Sequence, residues 1–181
     1  MTTDNIETNI EANDTEITID PMRVLKVATT ASLSKRSTLG YAIGCDGSNA
    51  IFLSIRKNSA SGMYSKCWLG FLELAEALVH ADRITSTTLL PLYANTSRNN
   101  AGFMLAVLLG EGLVCPMDRY YVRQDFKPFL KHINSLIDAG VDLGDADEAL
   151  AANEADASVE MPEVEVVEVP AVKRGRPSKR A

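Results

Sequence analysis

The sequence predicts an α+β fold: a small antiparallel sheet with packed helices, flanked by acidic segments expected to be disordered. Three observations lead to it. Alternating apolar stretches at residues 39–56 enclose an Asp46-Gly47 pair, the pattern of a β-hairpin. Apolar residues recur at three and four spacing over residues 66–81 and 126–139, as on amphipathic helices. Charge is segregated along the chain, with acids concentrated outside residues 21–139. At 181 residues there is room for one domain with a buried core, plus tails.

Residues 1–20 hold six acids and no Lys or Arg, with isolated Ile and no Gly or aromatic residue, and are expected to be a disordered arm. Residues 24–28 read as a first strand, and 32–38 as a polar connection carrying Lys35 and Arg36. The hairpin pairs residues 39–45 with 50–56, and its Asp-Gly pair is expected to supply the positive φ of the turn. Alternation puts Ile51, Leu53 and Ile55 on one face, and Phe52, Ser54 and Arg56 on the other. A polar loop at 57–62 leads to a short strand expected at 63–67. On the helix over 66–81, Trp68, Leu69, Leu72, Ala75, Glu76 and Val79 recur at three and four spacing, with Leu74 and Leu78 broadening the apolar stripe.

Residues 84–93 begin with good N-caps and meet Pro91, which predicts a helix of one or two turns. A polar loop at 95–100 precedes an apolar helix over 101–109, ended by Gly110 or Gly112. Residues 113–115 and 119–123 form a second hairpin, and Asp125 caps a last helix over 126–139 with Gly140 at its end. Residues 140–172 carry ten acids and no base; residues 143–154 could form a transient helix, but without an aromatic residue the segment is expected to stay a disordered acidic linker reaching on the order of 30 Å.

The order of residues 84–123, short helix, loop, helix and then a basic hairpin, resembles a winged helix-turn-helix. That resemblance implies a recognition helix at 99–109 and a wing at 116–119. Residues 101–109 depart from the pattern, being almost wholly apolar where a recognition helix shows polar and basic side chains. The candidate readers are then Arg98, Asn99 and Asn100, at the helix N-terminal end.

The most specific motif is at residues 173–181, where Arg174-Gly175-Arg176-Pro177 lies between Lys173 and the pair Lys179-Arg180. This resembles an AT-hook, a peptide that reads the minor groove of A·T-rich DNA. Gly175 has no Cβ to hold the backbone off a groove floor, and Pro177 biases Arg176 toward an extended conformation. Both features suit insertion of Arg174 and Arg176 into a narrow groove of strong negative potential. Lys173, Lys179 and Arg180 would meet phosphates. A nuclear-import signal or a solvated basic terminus needs the same charge without the Arg-Gly-Arg-Pro core, and both readings stay open.

The formal net charge of −6 conceals a mildly basic middle. Residues 21–139 carry thirteen Lys and Arg against eight Asp and Glu, and residues 173–181 add five bases. Within the middle, Lys35, Arg36, Arg56, Lys57, Lys66, Arg98, Arg119 and Arg123 are candidate DNA contacts, the last two flanking Tyr120 and Tyr121. The plain alternative is a solvated face of an ordinary domain.

Cys45, Cys67 and Cys115 match neither a disulfide framework nor a zinc pattern, and are expected to be reduced and buried. His80 and His132 stand alone, and no phosphate loop, HExxH or GxSxG motif is present, so neither an enzyme nor a cofactor is expected. No apolar run is long enough to span a membrane, and the acidic start lacks a signal-peptide pattern, which predicts an intracellular protein in a nucleoid or nucleus. The sequence thus points to a DNA-binding protein, a transcriptional regulator or a chromatin or nucleoid factor. Its partner would be A·T-rich duplex, and its folded domain a second DNA or homo-oligomerisation module. The rival is a protein-interaction adaptor whose basic tail is an import signal or charge anchor.

Overall fold

The computed structural model describes residues 22–94 and 96–159. The expected α+β class is the one observed. β1 (Arg23–Ala31), β2 (Thr38–Cys45) and β3 (Ile51–Asn58) form an antiparallel sheet in chain order, and a two-residue strand, β4 (Leu69–Gly70), lies beside β3. The hairpin predicted from alternation is β2–β3. Its turn works differently: Asn49 takes the positive φ, at 65°, and the Asp46 carboxylate accepts hydrogen bonds from the Ser48 hydroxyl and the backbone N–H groups of Ser48 and Ala50. Those bonds, the Ser48 hydroxyl first, hold the Asp46 carboxyl below its ordinary range.

Two bulges decide what each face of this sheet carries. Val24 pairs with Gly44 but Lys26 with Ile43, so Leu25 is an extra residue in β1. Gly40 pairs with Lys57 but Tyr41 with Ile55, so Arg56 is an extra residue in β3. An inserted residue resets the alternation of faces. Simple alternation puts Lys57 on the opposite side from Arg56; the bulge returns Lys57 to the side of Gly40 and Ser54.

One face of the sheet, with Tyr41, Ile43, Leu53 and Ile55, packs on α1 (Phe71–Val79), α3 (Asn99–Gly110) and α4 (Lys127–Asp138), while α2 (Ser86–Leu89) packs on α1 and α3. α3 is the central core helix, with Met104, Leu105, Val107 and Leu108 fully enclosed. Phe71 stacks edge-on to Phe126 at 5.6 Å and tilted against Phe129 at 5.0 Å, which joins α1 to the start of α4. A second hairpin, β5 (Val114–Met117) and β6 (Tyr120–Arg123), follows α3, and Tyr121 exchanges backbone hydrogen bonds with Ile84.

Several expectations change. No strand forms at 63–67, and the helix expected from 66 begins at Phe71, because Leu69 and Gly70 pair with β3 instead. The later start rotates the stripe: Phe71, Leu74 and Leu78 are buried, whereas Leu72 is 81% exposed and Val79 faces out. Cys45 is buried as expected, but Cys67 is exposed and Cys115 half-buried. The helix–helix–hairpin order predicted for 84–123 is present. Its second helix, however, buries Asn100, Ala101 and most of its length, so it offers no exposed recognition face beyond Arg98 and Asn99 at its start.

The largest difference lies in the acidic segment expected to be disordered from residue 140. Gly140 takes φ 68°, allowing its N–H to bond Ile137 O and that of Val141 to bond Leu136 O, which turns the chain out of α4. The Leu143 N–H then bonds the Val24 carbonyl at the edge of β1. Asp145 accepts from the N–H groups of Asp147 and Glu148 and starts α5 (Ala146–Val159). These bonds, that from Glu148 first, hold the Asp145 carboxyl below its ordinary range. α5 covers the second sheet face, where Ala146 and Leu150 are buried with Val24, Val27 and Ala42 and beside Trp68. The folded part therefore continues past 139. Residues 1–20, 160–172 and 173–181, which hold the expected arm, the rest of the linker and the hook, lie outside the described residues.

Gly40 is what lets α5 approach. A Cβ there would lie 2.3 Å from Leu150 Cδ2 and 2.9 Å from Lys57 Cβ. Gly40→Val is expected to push Leu150 from its seat and to destabilise the fold by about 1–3 kcal/mol, the usual cost of overpacking. Thermal unfolding gives the cost, and hydrogen exchange should show faster exchange confined to α5.

Candidate nucleic-acid interface

The candidate DNA contacts of the folded domain fall into three groups. Lys35 and Arg36 are exposed on the β1–β2 loop, whose Ser32, Leu33 and Ser34 share a cleft with Arg98, Asn99 and Phe103 at the start of α3. Arg119 is exposed at the tip of the β5–β6 hairpin in a cleft with Arg83, Asp118 and Tyr120, and Arg83 lies over the Tyr120 ring at 5.2 Å. Arg123 lies over Phe126 at 5.6 Å. Tyr121 packs against the core, so of the two tyrosines expected to interleave with bases only Tyr120 lines the cleft.

The third group is the most developed. Arg56, Lys57 and Lys66, read as separate candidates from the sequence, line one cleft on the face covered by α5. The bulge aligns the first two. Lys66 is delivered by a segment without regular secondary structure, which side chains fasten in place. Ser54 donates to Lys66 O at 3.0 Å, Tyr64 donates to Arg56 O at 2.9 Å, and Asn100 Oδ1 accepts from the Ser65 N–H at 3.0 Å. The same segment brings in Trp68, over whose ring the Arg56 guanidinium lies at 4.5 Å. Sequence periodicity had assigned Trp68 to a helix stripe.

The acids of α5 close this cleft. Lys57 pairs with Glu154 and Lys66 with Asp147, each at 2.5 Å, and the Asp147 hydrogen bond holds the Lys66 ammonium above its ordinary range. All four side chains are 31–50% exposed, so each pair contributes at most about 1 kcal/mol. Burial of Leu150 contributes about 2 kcal/mol more. Among the described residues, the seat of α5 on this face thus rests on Leu150 and Ala146, with Ala149 beside them, and on ion pairs open to solvent. Arg56 Nε is buried there without a hydrogen-bond partner.

No family model, curated protein or solved structure matches this chain. His80 and His132 are both exposed. Among the described residues no group of three or more His, Cys, Asp or Glu is placed to hold a metal, and no helix is long and apolar enough to cross a membrane.

One further constellation was invisible in the sequence. Lys26 Nζ donates to both carboxylate oxygens of Glu111, at 2.7 and 2.9 Å, and the Tyr41 hydroxyl donates to Glu111 Oε1. The Glu111 side chain is only 6% exposed. This triad ties the C-terminal end of α3 to β1 and β2. Burial first, and then the Glu111 carboxylate, push the Tyr41 phenol pKa far above its ordinary value.

Proposed function

We propose that this protein binds A·T-rich double-stranded DNA, inserting Arg174 and Arg176 into the minor groove, with the folded domain as a second, electrostatic contact. The observation that carries the reading is the Arg174-Gly175-Arg176-Pro177 core between basic residues. The grouping of Arg56, Lys57 and Lys66 in one cleft, with the Trp68 ring under the Arg56 guanidinium, supports it, since cations beside an aromatic ring suit a nucleic-acid backbone. Residues 160–172 separate α5 from the hook, and thirteen residues span at most about 45 Å, so both modules can engage one duplex. Linking two weak sites raises the effective concentration of each. A role as a transcriptional regulator or a chromatin or nucleoid factor follows from that binding mode.

The test keeps charge constant. Gly175→Ala with Pro177→Ala leaves every base in place. The proposal predicts that preference for A·T over G·C duplex falls at least severalfold in a binding assay. An import signal or simple charge anchor is indifferent to this change, and an unaltered preference would reject the hook.

A further inference from the structure

We infer that the sheet face bearing Arg56, Lys57, Lys66 and Trp68 is a docking surface for the phosphate backbone of DNA, and that α5 occupies it as an intramolecular polyanion which DNA displaces. The inference rests on the DNA-binding reading and adds a site and its regulation to it.

Four observations converge. The cleft gathers three cations from two chain segments, fixed by the β3 bulge and by the hydrogen bonds of Ser54, Tyr64 and Asn100. These bonds, none of them to α5, fix the backbone at Arg56, Ser65 and Lys66. What covers them is the chain's own acidic helix, whose Asp147 and Glu154 carboxylates meet Lys66 and Lys57 as phosphate oxygens would. The fit is incomplete: Arg56 Nε, beside the Trp68 ring, is buried with no acceptor. A buried donor left unpaired disfavours the closed arrangement, and an incoming phosphate supplies the acceptor α5 lacks. Finally, the exposed ion pairs that hold α5 are the kind that salt and competing anions weaken. The apolar contacts of Ala146 and Leu150 return the helix when the anion leaves.

The experiment uses the full chain with Arg174→Ala and Arg176→Ala, so that the hook is silent and the domain's own binding is read. In that background Asp147→Asn with Glu154→Gln should tighten binding to duplex DNA about tenfold at low salt. Glu76→Gln with Asp138→Asn removes two acids outside α5 and should give a much smaller gain. Adding Lys57→Ala and Lys66→Ala should erase the tightening. In the unaltered chain, saturating DNA should speed hydrogen exchange in residues 146–156 and slow it in 64–68. Equal gains from the two acid pairs, or slower exchange in α5 on DNA addition, would overturn the displacement. An acidic polypeptide such as poly-Glu that speeds α5 exchange as well as DNA does would overturn the assignment to phosphate. If the unaltered chain binds A·T duplex while the α5 substitutions change nothing, the inference fails alone. If the unaltered chain does not bind DNA, the DNA-binding reading fails with it.

Discussion

Arg174→Ala with Arg176→Ala is expected to abolish discrimination between A·T-rich and G·C-rich duplex and to weaken A·T binding by roughly tenfold or more. On the proposed binding mode two guanidinium groups leave the groove, each worth about 1 kcal/mol or more, which accounts for that loss. The residual binding should be sequence-indifferent and come from Lys173, Lys179, Arg180 and the folded domain. Because fewer cations then neutralise phosphates, the dependence of affinity on salt should also flatten. Competition of labelled A·T duplex against unlabelled duplexes of either composition reads both effects. Discrimination that survives the double substitution would assign base reading to the folded domain.

The second large effect concerns stability. Glu111→Ala is expected to destabilise the fold by about 3 kcal/mol. It leaves the Tyr41 hydroxyl buried without its acceptor and Lys26 beside an emptied site. Lys26, whose side chain is 29% exposed, can turn partly to water, which keeps the cost below that of a fully enclosed ion. Chemical denaturation measures the loss. A double-mutant cycle with Tyr41→Phe should show strong coupling, since both substitutions break one hydrogen bond. The same triad gives an alkaline signature. The Tyr41 pKa is raised in the folded state above its ordinary value of 10.0, so its contribution is intact below pH 10. Above it the unfolded chain releases the phenolic proton first, and stability falls as pH rises toward the folded-state pKa. Tyr41→Phe should remove that part of the slope.

The pattern of what sequence revealed follows from the range of the forces involved. The β2–β3 hairpin was legible because Ile51, Leu53 and Ile55 alternate locally and a turn lies beside them. α4 was legible because Phe129 and Ile133 repeat at helical spacing and both are buried. α1 was legible as a helix and its stripe in part: Leu74 and Leu78 are buried as expected, but Leu72 and Val79 face out, and Leu69 pairs with Leu53 across the sheet, a contact no local pattern contains. α5 was missed for a related reason. Its composition of Ala and acids cannot bury much surface, and in the fold little burial suffices, because Val24, Val27 and Ala42 receive Ala146 and Leu150.

The candidate site shows the same division. Arg56, Lys57 and Lys66 were identifiable as cations, but their convergence depends on an extra residue in β3 and on bonds from Ser54 and Tyr64. The two carboxylates that close the cleft, Asp147 and Glu154, come from a segment about 80 residues or more further along the chain. The Lys26–Glu111 pair joins residues 85 apart and relies on the bulge at Leu25 to set Lys26 on the helix side of the sheet. Charge type is local information; charge placement is not.

The most direct test of the account is the affinity of the unaltered full chain for A·T-rich and G·C-rich duplexes of equal length across a salt series. The account predicts tighter A·T binding throughout and a steep fall of both affinities with salt, with the preference persisting where the phosphate contribution has been screened. Equal affinities for the two duplexes at every salt concentration would contradict it.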